Sequence, residues 1–209
     1  MKKSPDYEND LASIRNLMER STKFISLSGM SGIMAGVFAL IGAVVAYYLV
    51  YYPHSPFGYR FYYVNETEIV WKLALTAILV LAASLFSGYW FTQKKAKKKN
   101  LKIWDKTSKN LFINLSIPLI TGGLFILALI LREHYIIVAP ASLIFYGLAL
   151  VNCSHYTYGD IRVLGYFQIA LGLVAAIIPG YGLIFWALGF GVMHILYGFL
   201  MYRKYDLEK

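Results

Sequence analysis

The hydrophobic positions of this chain are gathered into six long runs, separated by short polar segments or by segments rich in proline and glycine. Each run holds about 20 residues, the length that an α-helix needs to cross a hydrocarbon core of about 30 Å. The sequence therefore predicts an all-α polytopic membrane protein, with a six-helix transmembrane domain over 23–205. The predicted spans lie at about 24–51, 69–93, 111–131, 135–152, 162–178 and 181–202.

The segment before the first run, over 1–22, has an amphipathic pattern instead. Leu11, Ile14, Leu17 and Met18 recur at three- and four-residue spacing, and charged residues occupy many of the other positions. This spacing places the apolar side chains on one face of a helix. The sequence predicts a cytoplasmic amphipathic N-terminal helix that lies in the membrane interface, or that offers a docking site to a cytoplasmic partner.

Small residues recur at helical spacing within the apolar runs. Helices in lipid associate where small residues let their backbones approach closely. The first run has this pattern, and glycines seven residues apart continue it in the fifth and sixth runs. We therefore expect the fifth and sixth helices to pack against the first, although the same faces would also serve a homo-oligomer. The residues concerned are Ser28, Gly29, Gly32, Gly36, Gly165, Gly172, Gly189 and Gly191.

The distribution of charge predicts the topology. Charged residues make up 15% of the chain, against about 25% in an average soluble domain. Six spans place both termini on one side, and 17 of the 20 lysines and arginines fall on that side; Arg60, Lys72 and Arg132 fall on the other. Because basic loops stay in the cytoplasm, the sequence predicts cytoplasmic N- and C-termini.

A lysine-rich stretch connects the second and third spans. Next to a membrane, such a stretch is expected to rest on anionic lipids at the cytoplasmic face, or to dock an acidic protein partner. Nucleic acid is not expected as a partner, because no folded recognition module accompanies the charges. The lysines concerned are Lys94, Lys95, Lys97, Lys98, Lys99 and Lys102.

Polar residues inside the predicted spans are the candidate functional residues, because polar groups in lipid are costly. With the topology above they gather in the cytoplasmic half of the membrane. They predict either a polar cavity that faces the cytoplasm or hydrogen bonds that hold helices together. This candidate cluster consists of His194, Gln168, Asn114, Ser116, Asn152, Tyr146, Tyr197, Ser84 and Ser87.

The chain has no motif that indicates catalysis or metal binding. It lacks the HExxH pattern of zinc hydrolases, and Cys153 is its one cysteine. We expect neither a cofactor nor a metal. The sequence favours a non-enzymatic structural, sensory or accessory component that acts through partners. The alternative is a small transporter or channel with a cytoplasm-facing polar cavity; an intramembrane enzyme would depend on His194 alone.

The glycine-rich carboxyl-terminal part, LGYFQIALGLVAAIIPGYGLIFWALGFGVMHILYGFLMYRKY, together with SLSGMSGIMAG in the first span, resembles a family of bacterial six-span inner-membrane proteins. The resemblance covers most of the chain. It implies a bacterial inner (cytoplasmic) membrane location. The family has no established activity, so the resemblance assigns no role to any residue.

Overall fold

The computed structural model describes residues 28–52, 67–98 and 103–207. Within this part of the chain, six helices are long and apolar enough to cross a membrane. This confirms the predicted number of spans and is the architecture of a multi-pass membrane protein. The predicted helix over 1–22, and Lys99 and Lys102, lie outside the described residues. The helices are α1 (Gly29–Val50), α2 (Thr67–Lys98), α3 (Lys106–Leu131), α4 (Val138–Cys153), α5 (Asp160–Ile177) and α6 (Gly182–Asp206).

The helix ends follow from local sequence. Asp105 caps α3, because its carboxylate accepts from the Ser108 backbone N–H at 2.7 Å and its own N–H donates to Ser108 Oγ at 2.8 Å. This reciprocal pair is a capping box. The structure extends α2 to Lys98 and α6 to Asp206, beyond the ends predicted from hydropathy. Lysines in the last turn of α2 suit the negative end of the helix dipole.

The two ends of the bundle differ in chemistry. One end carries Ser28 at the start of α1, Lys95 near the end of α2 and Asp206 at the end of α6, which contact one another. We call it the basic end. The opposite end carries Tyr51 after α1 and Gly180 before α6, where the Tyr51 hydroxyl donates to the Gly180 carbonyl at 3.3 Å.

Helix α1 packs against α6 and α2. Its contact with α6 is close because both helices lack side chains there: a Cβ built on Gly36 would lie 2.6 Å from the Gly191 carbonyl oxygen. Gly29 and Gly32 both face Gly198, and Gly191 faces Leu40 of α1. The expected packing of the sixth helix on the first is therefore present.

Helix α5 packs on α4 instead of on α1, so the expectation for the fifth helix was wrong. Gly165 lies against Gly147, and Gly172 lies against Pro140 and Ile144 of α4. Gly189, one of the two predicted positions on α6, faces Gln168 of α5 and Leu143 of α4. A row of small residues marks a face that permits close approach, but it does not say which helix will occupy that face.

The bundle is least complete between α2 and α3. Along their described residues these two helices make almost no contact with each other, although they follow one another in the chain. Helix α2 packs mainly on α1, and α3 packs mainly on α4. A lateral cleft therefore separates α2 from α3.

Candidate functional site

Three of the predicted polar residues meet in the interior of the bundle, around the carbonyl of Gly189. Tyr146 comes from α4, Gln168 from α5 and His194 from α6. The Tyr146 hydroxyl lies 2.7 Å from His194 Nε2, and His194 Nδ1 lies 3.0 Å from the Gly189 carbonyl oxygen. Gln168 Nε2 donates to the same oxygen at 2.7 Å. We call these four residues the buried polar quartet.

The local conformation of α6 makes this arrangement possible. Residues Ala187–Met193 form a π-helix inside α6, between α-helical segments at Gly182–Trp186 and His194–Met201. A π-helix replaces the usual i→i+4 bonding pattern by i→i+5 and often occurs at functional sites. Gly189 lies within this stretch and lacks a side chain, so Gln168 can reach its carbonyl; a Cβ there would lie 2.5 Å from Gln168 Oε1.

The contacts assign the histidine proton. The Gly189 carbonyl can only accept, so Nδ1 of a neutral His194 carries the hydrogen and donates to it. Nε2 is then an acceptor, and the Tyr146 hydroxyl donates to it. The 3.4 Å approach of Gln168 Nε2 to Nδ1 brings two donors together and is not a hydrogen bond. These bonds use both imidazole nitrogens.

One polar atom of the quartet stays unpaired. Gln168 is fully buried, and its Oε1 has no hydrogen-bond partner among the described residues. The ring of Phe190 packs against two rings of the quartet, with its centroid 5.0 Å from that of Tyr146 and 5.9 Å from that of His194. The quartet is therefore a compact polar cluster that packs against an aromatic ring.

The other predicted polar residues lie elsewhere. Asn152 of α4 donates to the Asn114 carbonyl of α3 at 2.8 Å, and Asn114 donates to the Asn110 carbonyl within its own helix. Ser87 bonds the Ser84 carbonyl within α2. Tyr197 packs on Phe167, with the ring centroids 6.2 Å apart, and Ser116 is half-buried on α3. The predicted cluster thus divides into the quartet, an asparagine pair and local contacts.

Sequence reasoning missed an ion pair at the basic end. Lys95 Nζ lies 2.6 Å from Asp206 Oδ1, and both side chains are at most 10% exposed. Asp206 Oδ2 also accepts from Ser28 Oγ at 2.9 Å and from the Gly29 backbone N–H at 3.0 Å. A carboxylate is favourable at this position because the N-terminus of α1 carries the positive end of the helix dipole. Tyr158 also contacts Lys95. We call Ser28, Gly29, Lys95, Tyr158 and Asp206 the terminal latch.

Lys95 differs from the neighbouring lysines because it is buried and paired with a carboxylate. Its ammonium lies 3.3 Å from the Tyr158 hydroxyl and 5.2 Å from the centre of that ring, whereas Lys94, Lys97 and Lys98 are exposed. A second pair continues the charged region, because Asp160 receives hydrogen bonds from Tyr205 at 2.6 Å and from Lys204 at 3.2 Å. Tyr205 stacks on Tyr158 with the ring centroids 3.9 Å apart.

An apolar cavity lies at the end of the bundle opposite the basic end, and none of the predicted site residues lines it. It has a volume of about 430 Å³, is half-enclosed, and is bounded by α1, α2, α3, α4 and α6. Small side chains produce the space, among them Gly42, Ala46, Ala74, Ala77 and Ala139. Sequence reasoning missed it because it searched for polar groups.

No cluster of three or more histidine, cysteine, aspartate or glutamate side chains is placed to hold a metal in the described ranges. Comparison of the chain with protein families, with curated proteins and with solved structures gives no match.

Tyr146→Phe is expected to lower the free energy of unfolding by about 1–2 kcal/mol. It removes the hydroxyl that donates to His194 Nε2, and a buried acceptor left unpaired costs about this much. Thermal unfolding in mild detergent measures the effect. Tyr166→Phe is the control, because Tyr166 is exposed on α5. Equal midpoints for the two variants would contradict the assigned hydrogen bond.

Proposed function

We propose that this protein is a non-enzymatic accessory component of a bacterial inner membrane, and that it acts by binding a hydrophobic partner within the bilayer. Both termini face the cytoplasm, since 17 of the 20 lysines and arginines lie at that side of the six-span topology. Under this orientation the basic end contacts anionic lipid, and the cavity opens in the outer leaflet.

The observation that carries the proposal is the contrast between the two interior sites. The polar quartet is bonded mainly to itself, with both imidazole nitrogens occupied. The cavity, in contrast, is bordered almost entirely by aliphatic and aromatic side chains and opens between α2 and α3. Pockets of about 300–1,000 Å³ with mostly apolar walls are typical of ligand sites.

Position-specific photo-crosslinking tests this function. A photoreactive amino acid replaces Ala77, which borders the cavity, or Ala82, which is exposed on the same helix outside it. In native membranes we expect a discrete adduct, either one lipid class or one polypeptide, at position 77. Position 82 should give the distribution of the bulk bilayer. Identical products at both positions would overturn the proposal.

A small transporter or channel is the second candidate. It is favoured by the unpaired, buried Oε1 of Gln168 beside the π-helix of α6, because such an atom could accept a hydrogen bond from a solute. Solute uptake into proteoliposomes by the wild-type protein, lost in Gln168→Leu, would support transport. Uptake that is absent, or unchanged by this substitution, would leave the quartet as an element that holds helices together.

A further inference from the structure

We propose that the apolar cavity binds one acyl chain of a membrane lipid. The lipid belongs to the leaflet at the end of the bundle that lies opposite the basic end. This inference rests on the proposed function, because it names the hydrophobic partner. It also commits to a lipid chain over a transmembrane helix of another protein or a second copy of this chain.

The depth of the cavity fits a single leaflet. Its wall on α2 extends from Val70 to Val80, which is about 15 Å along a helix axis at 1.5 Å per residue. The hydrocarbon core of a bilayer is about 30 Å thick. The cavity therefore extends from the opposite end to about the middle of the membrane, as an acyl chain of one leaflet does.

The same dimension argues against a helix as the occupant. On α1 the wall begins at Gly42 and ends at Val50, and on α6 it is limited to Gly182, Leu183 and Trp186. The halves of these helices towards the basic end do not contribute. A transmembrane helix crosses both leaflets, so it would need a groove along the full length of the bundle, whereas this cavity stops halfway.

The entrance faces the lipid side of the bundle. Ala77 and Val80 of α2 form one side of the cavity and Ile126 and Ile130 of α3 form the other, while these two helices make almost no contact along their described residues. The outer flanks of both helices are apolar and exposed, as at Leu75 and Ile78 of α2 and Leu127 and Leu131 of α3. A lipid chain can therefore enter sideways from the bilayer.

The chemistry of the walls suits a hydrocarbon. Four lining residues carry a hydroxyl group: Tyr51, Thr76, Tyr135 and Ser142. Three of these hydroxyls already donate to backbone carbonyls, that of Thr76 to Lys72 at 2.8 Å, that of Ser142 to Ala139 at 2.7 Å and that of Tyr51 to Gly180 at 3.3 Å. A polar ligand would find few partners there. Atoms that line an empty space lose dispersion contacts, and an acyl chain restores them without any polar cost.

Quenching of Trp186 by brominated lipid tests the inference. Trp186 borders the cavity, whereas Trp71, Trp90 and Trp104 are exposed on the outside of the helices. The full chain carrying Trp71→Phe, Trp90→Phe and Trp104→Phe keeps Trp186 as its single tryptophan. It is reconstituted into phosphatidylcholine vesicles with or without bromine on the acyl chains. We expect strong quenching of Trp186 by the brominated lipid.

Matched variants in this background locate the quencher. Ala77→Phe fills the cavity from α2, and Ala46→Leu fills it from α1; both should lose most of the quenching. Ala82→Phe adds the same side chain outside the cavity and should keep it. Equal quenching in all variants, or no quenching at all, would overturn the acyl-chain site. A polypeptide crosslinked at position 77 would overturn it too, but would leave the proposed function standing.

Discussion

Asp206→Asn is expected to lower the free energy of unfolding by about 3–5 kcal/mol, the cost of breaking a buried ion pair by removing one partner. The substitution keeps the shape of the side chain but removes the negative charge 2.6 Å from Lys95 Nζ. With both side chains at most 10% exposed, water cannot replace the lost partner. The positive end of the α1 dipole loses the same carboxylate.

Thermal unfolding in mild detergent measures this loss, and a midpoint roughly 10 °C lower is expected for a chain of this size. Glu68→Gln is the control. It removes one charge from the Glu68–Lys72 pair, whose side chains are 75% and 53% exposed, so no measurable change is expected. Similar midpoints for Asp206→Asn and Glu68→Gln would show that the terminal latch does not stabilise the fold.

A double variant separates the charge effect from the loss of packing. Lys95→Met combined with Asp206→Asn removes both charges, and replacing a buried ion pair by uncharged groups is often close to neutral. We therefore expect much of the stability lost in the single variant to return. A double variant as unstable as the single one would mean that the hydrogen bonds of Asp206 to Ser28 and Gly29 carry the effect.

The terminal latch also bears on the proposed lipid site. Along the described residues, helix α2 packs mainly on α1 and makes almost no contact with α3. Lys95 near its end is a charged attachment of α2 to α6. We expect the end of α2 to be held less firmly against α6 when that attachment is lost. The other end of α2 forms one wall of the cavity, from Val70 to Val80. We therefore expect the width of the cleft to depend on how firmly both ends of α2 are held.

The helices were predictable from sequence because their signal is local. A run of about 20 apolar residues identifies a span whatever surrounds it, and the six runs correspond to six helices. The ends of the second and sixth helices were predicted too early, because hydropathy falls before Lys95 and Asp206. The helices continue through both residues. The contact between two charged residues 111 positions apart has no local signature.

The sequence predicted how far the candidate residues lie from the helix ends, but not the direction in which their side chains point. Distance from a helix end placed His194, Gln168 and Tyr146 at similar levels, and these residues do meet. The same rule grouped Ser84 and Ser87 with them, although these serines bond within α2. Depth follows from residue number, but the direction of a side chain depends on how each helix is rotated against its neighbours.

The cavity had no sequence signal of its own. Its walls use small residues such as Gly42, Ala46 and Ala74, the same types that bring helices together elsewhere in the bundle. Gly42 in fact does both, because it borders the cavity and also lies against Val80 of α2. Whether a small residue leaves space or permits contact depends on the partner helix, and the sequence does not specify that partner.

Gly198→Ala is expected to be the most damaging single-methyl change among the described glycines of α6. A Cβ at this position would lie 2.5 Å from the Ile33 backbone nitrogen, 2.8 Å from the Gly32 carbonyl carbon and 2.9 Å from the Gly29 carbonyl oxygen. All three atoms belong to the backbone of α1, so no side chain can rotate away. The two helices must separate, which also weakens the neighbouring contact between Gly36 and Gly191.

The size of the effect follows from the cost of overpacking, which is about 1–3 kcal/mol and occasionally more; we expect the upper part of that range, since the clash is with backbone. Thermal unfolding in mild detergent again provides the measurement. Gly88→Ala and Gly123→Ala are the controls, because a Cβ at either position has no atom within 4 Å. Alanine there should raise stability slightly, as it favours helix over glycine by about 1 kcal/mol. If Gly198→Ala behaved like these controls, the close contact between α1 and α6 would be wrong, since a methyl group fits only where the helices are further apart.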